Sequence, residues 1–175
     1  MTPESELQSK LIFVKYSMQE SKSEMYSSQQ VVVEQLFELA QQSDYGPSRQ
    51  SLSEFISDFL NRSGAEEKEE KLLFVVLDEQ PTAQAFLQAR FFGETADLDF
   101  VVVDRLQRGK GLGKGLLELM ERELRSAGVL RVMLEVATGN QDALQLYLKS
   151  GYKKISVRKS YYRTGEDALV MEKIL

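Results

Sequence analysis

The chain has 175 residues, with 22 Lys+Arg against 27 Asp+Glu for a formal net charge of −5, and 42% of its residues are hydrophobic. At this length one ordinary domain buries roughly 70% of the surface its unfolded chain exposes, without help from a disulfide or a structural metal. There is no Cys and no His, which excludes a cysteine nucleophile, a Ser-His-Asp triad and a Cys/His zinc site.

Catalysis would therefore rest on Asp, Glu, Lys, Tyr, Ser or backbone groups. The acidic balance and the lack of long basic runs argue against a phosphate-backbone footprint. Residues Met1 to Glu6 lack the basic and apolar regions of a signal peptide. The longest apolar runs, Leu72 to Leu77 and Phe100 to Val103, are far short of the ~20 residues of a membrane helix, so a cytoplasmic location is expected.

Taken in order, Leu11-Ile12-Phe13-Val14 predicts a first strand. Val32, Val33, Leu36, Phe37 and Ala40 recur at helical spacing, and Gly46-Pro47 ends that helix. Leu52, Phe55, Ile56, Phe59 and Leu60 predict a second helix, with Ser51 and Glu54 placed as a capping box. The polar stretch from Ser63 to Lys71 reads as a solvated loop. Leu72 to Leu77, Gln84 to Phe91 and Leu98 to Val103 then read as an antiparallel meander, with a turn at Asp78-Glu79-Gln80-Pro81. From Gly111 to Gly128 the period is helical again: Leu112, Leu116, Leu117, Met120 and Leu124 lie on one side, Glu118, Glu121, Arg122 and Arg125 on the other, and Gly128 is placed as the C-terminal cap. A strand from Leu130 to Val136, a helix from Gln141 to Ser150 closed by Gly151, and strands over Lys154 to Tyr161 and Asp167 to Ile174 complete the chain. The sum is a single α/β domain over residues 1–175, a mixed sheet of about seven strands flanked by about four helices.

Four of the eleven glycines fall within the seven residues Gly109 to Gly115, between a predicted strand and a predicted helix. Glycine allows positive φ, and a helix N-terminus presents unpaired N–H groups with partial positive charge, a combination suited to a phosphate; a tight turn that merely starts the helix is the plainer reading. The P-loop pattern would need Gly at Arg108 and a hydroxyl at Gly115, and the dinucleotide fingerprint fails at Lys114 and Leu116. The pattern that fits is R/Q-x-x-G-x-G/A on Arg108, Gly111 and Gly113. It resembles the acetyl-CoA pyrophosphate loop of the GCN5-related N-acetyltransferase superfamily, whose element order the chain shares from Lys10 to Leu175.

Downstream, Leu134-Glu135-Val136, Asn140, Leu146-Tyr147, Ser150-Gly151-Tyr152, Tyr161-Tyr162, Glu166-Asp167-Ala168 and Met171 are similar to the bacterial ribosomal-protein-alanine N-acetyltransferases and their eukaryotic N-terminal acetyltransferase relatives. The N-terminal half resembles that family only in element order. Arg105 stands where the family often has Pro. The resemblance implies direct acetyl transfer from acetyl-CoA, without a metal, to the α-amine at a peptide or protein N-terminus, a ribosomal protein among the candidate partners. The same fold acting on a small amine or a lysine side chain, or serving only to bind CoA, is the alternative.

Acyl transfer from a thioester to an amine needs a base, a polarised carbonyl and a proton for the thiolate. Glu135 sits in an apolar strand, where desolvation favours a working base, and Tyr147 can supply a proton. The resemblance assigns these two roles to these positions, twelve residues apart. Glu135 could equally be a strand-end ion-pair partner, and Tyr147 shares core spacing with Ala143, Leu144 and Leu148. The resemblance further implies that Val101, Val102 and Val103 run beside the pantetheine arm. It places Gly109, Lys110, Gly111, Leu112, Gly113 and Lys114 around the pyrophosphate, with Arg108, Lys110 and Lys114 adding charge, and has Asn140 touch CoA. By spacing alone the valines suit the core and Asn140 a helix cap. Tyr161 and Tyr162 are implied to line the groove for the peptide N-terminus; cross-strand packing is the plainer role.

Overall fold

A computed structural model describes residues 12–16, 33–61, 70–78 and 82–175. In chain order these form β1 (Ile12–Tyr16), a helix over residues 33–41 (α1), α2 (Arg49–Asn61), β2 (Glu70–Leu77), β3 (Ala83–Phe92), β4 (Thr95–Val103), a 3-10 turn (Arg105–Gln107), α3 (Leu112–Ser126), β5 (Arg131–Ala137), α4 (Gln141–Lys149), β6 (Lys153–Arg158) and β7 (Ala168–Ile174). Leu11, Val32, loop residues 63–69 and turn residues 79–81 of the sequence reading lie outside the described residues.

The strands make one sheet in the order β1-β2-β3-β4-β5-β7-β6. Every neighbouring pair is antiparallel except β4 with β5. β2 reads as an uninterrupted apolar run because both of its faces are covered. Leu72, Phe74 and Val76 join the core beneath α3 and α4, while Leu73, Val75 and Leu77 join a second core beneath α1 and α2. The apolar row of α3, Leu112, Leu116, Leu117, Met120 and Leu124, is buried as its spacing predicts. Gly128 takes φ +82° after that helix and Gly151 φ +91° after α4, left-handed positions that glycine fills without penalty.

Three local expectations are corrected. Glu121, expected on the outer side of α3, is buried; Lys173 from β7 meets its carboxylate at 2.6 Å, the pairing that a buried charge requires. The start of α2, at Arg49, lies three residues earlier than the Ser51 capping box implies, because Ser48 is the residue that caps it. Its Oγ accepts the Ser51 N–H at 3.1 Å, and Glu54 accepts a bond from Gln50 instead. Finally, β6 ends at Arg158 rather than at Tyr161. Asp167 draws the chain out of the ladder: its carboxylate accepts from the Ser160 N–H at 2.9 Å and the Lys159 Nζ at 2.7 Å, and Ser160 adopts φ +49°. Those same two bonds hold the Asp167 carboxyl below the usual carboxylate range. Among the described residues no helix is long and apolar enough to cross a membrane.

The corrected cap makes a direct prediction. Ser48→Ala costs about 1 kcal/mol in denaturant unfolding, whereas Ser51→Ala, inside the helix, leaves stability within about 0.5 kcal/mol; the reverse ranking would restore the capping box.

Candidate active site

The site begins with a missing set of strand contacts. In the ladder between β3 and β4, Ala89 pairs with Leu98 and Gln88 with Phe100, so Asp99 is an extra residue, a β-bulge that bends β4. The bonding of β4 to β5 stops at the same point, its last pair being Leu98 with Leu134. Beyond it β4 stays with β3 and β5 stays with β7, so the two strands part. Among the described residues the β5-facing edge of Val101 to Val103 has no strand partner.

A cavity of about 1090 Å³ occupies this split. Val101, Val102 and Val103 form one wall, and Asn140, Ala143, Leu146 and Tyr147 of α4 and its cap form the other. The glycine loop closes one end through Arg108, Gly109, Gly111, Leu112, Gly113 and Lys114. The valines also serve the core: Val102 packs under α1 and α2, Val101 and Val103 under α3. Asn140 caps α4, its Oδ1 accepting the Ala143 N–H at 3.2 Å, while still facing the cavity.

The glycines divide their work. Gly109 and Gly111 take φ +75° and +87°, and Gly111 is the N-cap residue of α3, so the first-turn N–H groups of that helix, which lack intrahelical acceptors, open at the loop. Gly113 is ordinary helix; a Cβ there would stand 3.0 Å from Leu146 Cδ2, so its smallness lets α3 and α4 approach. The basic side chains are less convergent than their spacing suggests. Arg108 Nε donates back to the Val103 carbonyl at 3.2 Å and Lys114 pairs with Glu118 at 3.5 Å. Lys110 is absent from the cavity wall and donates to Gln107 at 2.9 Å.

Tyr147 is buried yet lines the cavity, joining two roles that its spacing left as alternatives. Its ring meets Tyr152 edge to face at 5.7 Å. Burial, and secondarily Tyr162, push its phenol well above the ordinary tyrosine range, so it holds its proton at neutral pH. Glu135 differs from expectation. Rather than standing desolvated among apolar neighbours, it is 32% exposed and pairs with Arg158 Nη1 at 3.2 Å, and it does not line the cavity. Arg158 is in register with Ala168 of β7 and Glu135 with Val170, so the pair reaches diagonally across β7.

Tyr161 and Tyr162, placed in the loop after β6, meet edge to face at 5.3 Å. Arg158 lies 5.4 Å over the Tyr161 ring. Burial first, then Tyr161, Glu135, Glu166 and Tyr45, push the Tyr162 phenol up to about 12. Tyr162 is thus electrostatically close to both Glu135 and Tyr147, which the sequence offered as a pair. Two further residues had no role assigned to them from sequence, although Glu166 stands in one of the motifs that carry the resemblance. Tyr45, at the turn after α1, lines the cavity and meets Tyr162 at 6.3 Å; its place beside Gly46-Pro47 was the available signal. Glu166 accepts from the Gly139 N–H, from Thr138 Oγ1 at 3.2 Å and from the Tyr45 hydroxyl at 3.4 Å.

The chain matches the family model described as Acetyltransferase (GNAT) family over residues 33–152. It is 33% identical over 105 residues to the ribosomal protein bS18-alanine N-acetyltransferase of Salmonella typhimurium, covering 58% of this chain and 71% of that one. The crystal structure of the ribosomal-protein-S18-alanine N-acetyltransferase from Escherichia coli superposes with a TM-score of 0.68 at 23% identity, over 93% of this chain and 94% of that one. The NatC complex bound to Gag peptide and CoA superposes at 0.72 with 15% identity, over 95% and 99%, a likeness of fold.

The backbone of the glycine loop is open to test. No atom lies within 4 Å of a Cβ built on Gly111, so Gly111→Ala carries only the left-handed backbone penalty of about 1–2 kcal/mol. Gly111→Asn should lose less, since Asn tolerates that region. Denaturant unfolding of the two variants ranks them, and an Ala variant as stable as the parent would refute the assigned conformation.

Proposed function

Because the chain belongs to the acetyltransferase (GNAT) family and is an acetyl-CoA-dependent N-acetyltransferase, we propose that it acetylates the α-amine at a peptide or protein N-terminus, a ribosomal protein being one candidate. The observation that carries this reading is the position of Tyr147, a buried, protonated phenol on the cavity wall. The similarity to the named ribosomal-protein-alanine enzymes supports the choice of acceptor. A cytoplasmic location belongs to the same proposal.

The split suits acetyl-CoA as substrate. An unpaired strand edge at Val101 to Val103 can bond an extended amide-bearing arm as an added strand would, and the α3 N-terminus at Gly111 to Lys114 can receive the pyrophosphate. Gly109 completes that loop, with Arg108 and Lys114 adding charge at its rim and the Lys110 side chain turned to Gln107.

In the proposed reaction Glu135 takes a proton from the acceptor ammonium, directly or through water. An α-amino group, with a pKa near ~8, gives up that proton more readily than a lysine side chain at ~10.4. The freed nitrogen forms a bond to the acetyl carbon, the carbon–sulfur bond breaks as Tyr147 protonates the departing thiolate, and the nitrogen's surplus proton passes, directly or through water, to the resulting tyrosinate, leaving a neutral amide and restoring the phenol. Tyr161 and Tyr162 flank the acceptor's path. With no Cys or His in the chain, transfer proceeds in a ternary complex without an acetyl-enzyme.

Tandem mass spectrometry after incubation with acetyl-CoA tests the acceptor. Peptides with free Ala, Ser or Met N-termini should gain one acetyl group at the α-nitrogen, and modification confined to internal lysines of N-blocked peptides, or to polyamines, would overturn the reading. Tyr147→Phe should lower kcat on the order of 10²-fold while acetyl-CoA affinity stays within about threefold, a split that marks loss of a transition-state interaction. Equal losses in both would make Tyr147 a packing residue. Glu135→Gln should fall by a similar factor, and full activity would remove it as the base.

A further inference from the structure

The turn after α1 touches both halves of the site. Gln42, Ser43, Asp44 and Tyr45 all line the cavity, and the two ends of this segment are held by different parts of the chain. At one end Gln42 is held three times by the loop that leads into the glycines: its Nε2 donates to Asp104 Oδ2, its Oε1 accepts the Arg105 N–H, and its carbonyl accepts from Arg105 Nε, each at 3.0 Å. At the other end the Tyr45 hydroxyl donates to Glu166 Oε2 and its ring rests against Tyr162.

The segment of four residues is compact. Ser43 Oγ accepts the Tyr45 N–H at 3.3 Å, and the Gly46 N–H returns to the Ser43 carbonyl at 3.2 Å. A Cβ on Gly46 would stand 2.5 Å from the Ala40 carbonyl oxygen, so the turn closes tightly against the end of α1. A short segment folded on itself and tied at both ends transmits displacement rather than absorbing it.

We propose that residues 42–45 form a strap coupling the glycine-loop side of the cavity to the hairpin loop that carries Tyr161 and Tyr162, with Gln42 and Glu166 as its positioning residues. The proposal rests on the reading of that hairpin as the acceptor side. Glu166 does not line the cavity; it acts through Tyr45. Its other partners, Thr138 and Gly139, are secured independently: the Thr138 N–H donates to the Asp167 carbonyl, Gln141 Nε2 donates to the Thr138 carbonyl, and Asn140 caps α4. The Tyr45 hydroxyl makes no other side-chain hydrogen bond among the described residues, so Glu166 supplies the strap's polar tie at that end, beside the ring contact with Tyr162. Coupling of this kind is reciprocal: occupation of the glycine-loop side orders the hairpin, and an acceptor on the hairpin tightens CoA by the same factor.

Hydrogen–deuterium exchange with CoA alone tests the strap without depending on any acceptor. In the parent protein CoA should slow amide exchange over residues 101–114 and also over 159–167. In Glu166→Ala and in Gln42→Ala the first protection should persist and the second should vanish. Glu166→Gln should restore it, because its amide oxygen can still accept from Gly139 while its NH2 group donates to the Tyr45 hydroxyl, which can accept. With an Ala-initiated peptide, Glu166→Ala should raise the acceptor KM about tenfold, within the usual span of coupling free energies, and leave the CoA dissociation constant within about twofold. Hairpin protection that is absent in the parent, or that survives unchanged in Glu166→Ala, would overturn the strap. So would a Gln variant as impaired as the Ala variant, which would assign Glu166 a charge role on the acceptor. Failure of the peptide to be acetylated would instead remove the acceptor reading and leave the exchange result standing.

Discussion

Everything in the site follows from the place where β4 and β5 stop bonding. One extra residue, Asp99, bends β4 after Leu98, and the parallel pairing ends at Leu98 with Leu134. A sheet held on both sides by antiparallel neighbours can tolerate such a local loss, because β3 and β7 continue to satisfy the outer edges of the parted strands. The inner edges are left with backbone groups that need partners, and Arg90 and Gln88 hold Asp99 itself at 2.9 to 3.3 Å so that the bulge is fixed rather than loose. Burial pushes the Asp99 carboxyl up, and its bonds to Arg90 and Gln88 act against that shift.

The helices that frame the split are placed by ordinary packing. The leucine row of α3 fixes that helix against the sheet, so its N-terminus at Gly111 and Leu112 faces the cavity. Gly113 then admits Leu146 of α4, which brings Tyr147 to the opposite wall. Tyr147 is in consequence both a core side chain and a cavity group. The burial that keeps its proton in place is the same burial that holds α4 down.

How much of this the sequence disclosed depends on the range of the interaction. Helical periodicity found the buried row of α3, and unbroken apolar runs found β2 and the end of β4, because those signals are local. The glycine loop was legible because left-handed turns at Gly109 and Gly111 and a close helix approach at Gly113 call for glycine at short spacing. Glu135 illustrates the limit: its strand is apolar, but its partner Arg158 lies two strands away on the far side of β7, a neighbour set by register and not by spacing. The tyrosine loop is a second case, since Asp167, downstream, ends β6 at Arg158 and takes Tyr161 and Tyr162 out of the ladder. Glu121 is a third, turned inward by Lys173. The bridging residues Gln42 and Glu166 were invisible for the same reason, each acting between segments remote in the chain.

In the proposed reaction one cleft, opened by the bulge, holds the acetyl donor between Val101 to Val103 and Tyr147 while the acceptor enters past Tyr161 and Tyr162. A crystal structure with CoA linked through an acetyl bridge to the α-nitrogen of an alanyl peptide is the decisive measurement. It should show pantetheine amides bonded to the free edge of β4, pyrophosphate at the N-terminus of α3, the sulfur beside the Tyr147 hydroxyl and the peptide leaving past Tyr161 and Tyr162. A conjugate bound with its sulfur away from Tyr147, or a peptide leaving by another face of the sheet, would contradict that arrangement.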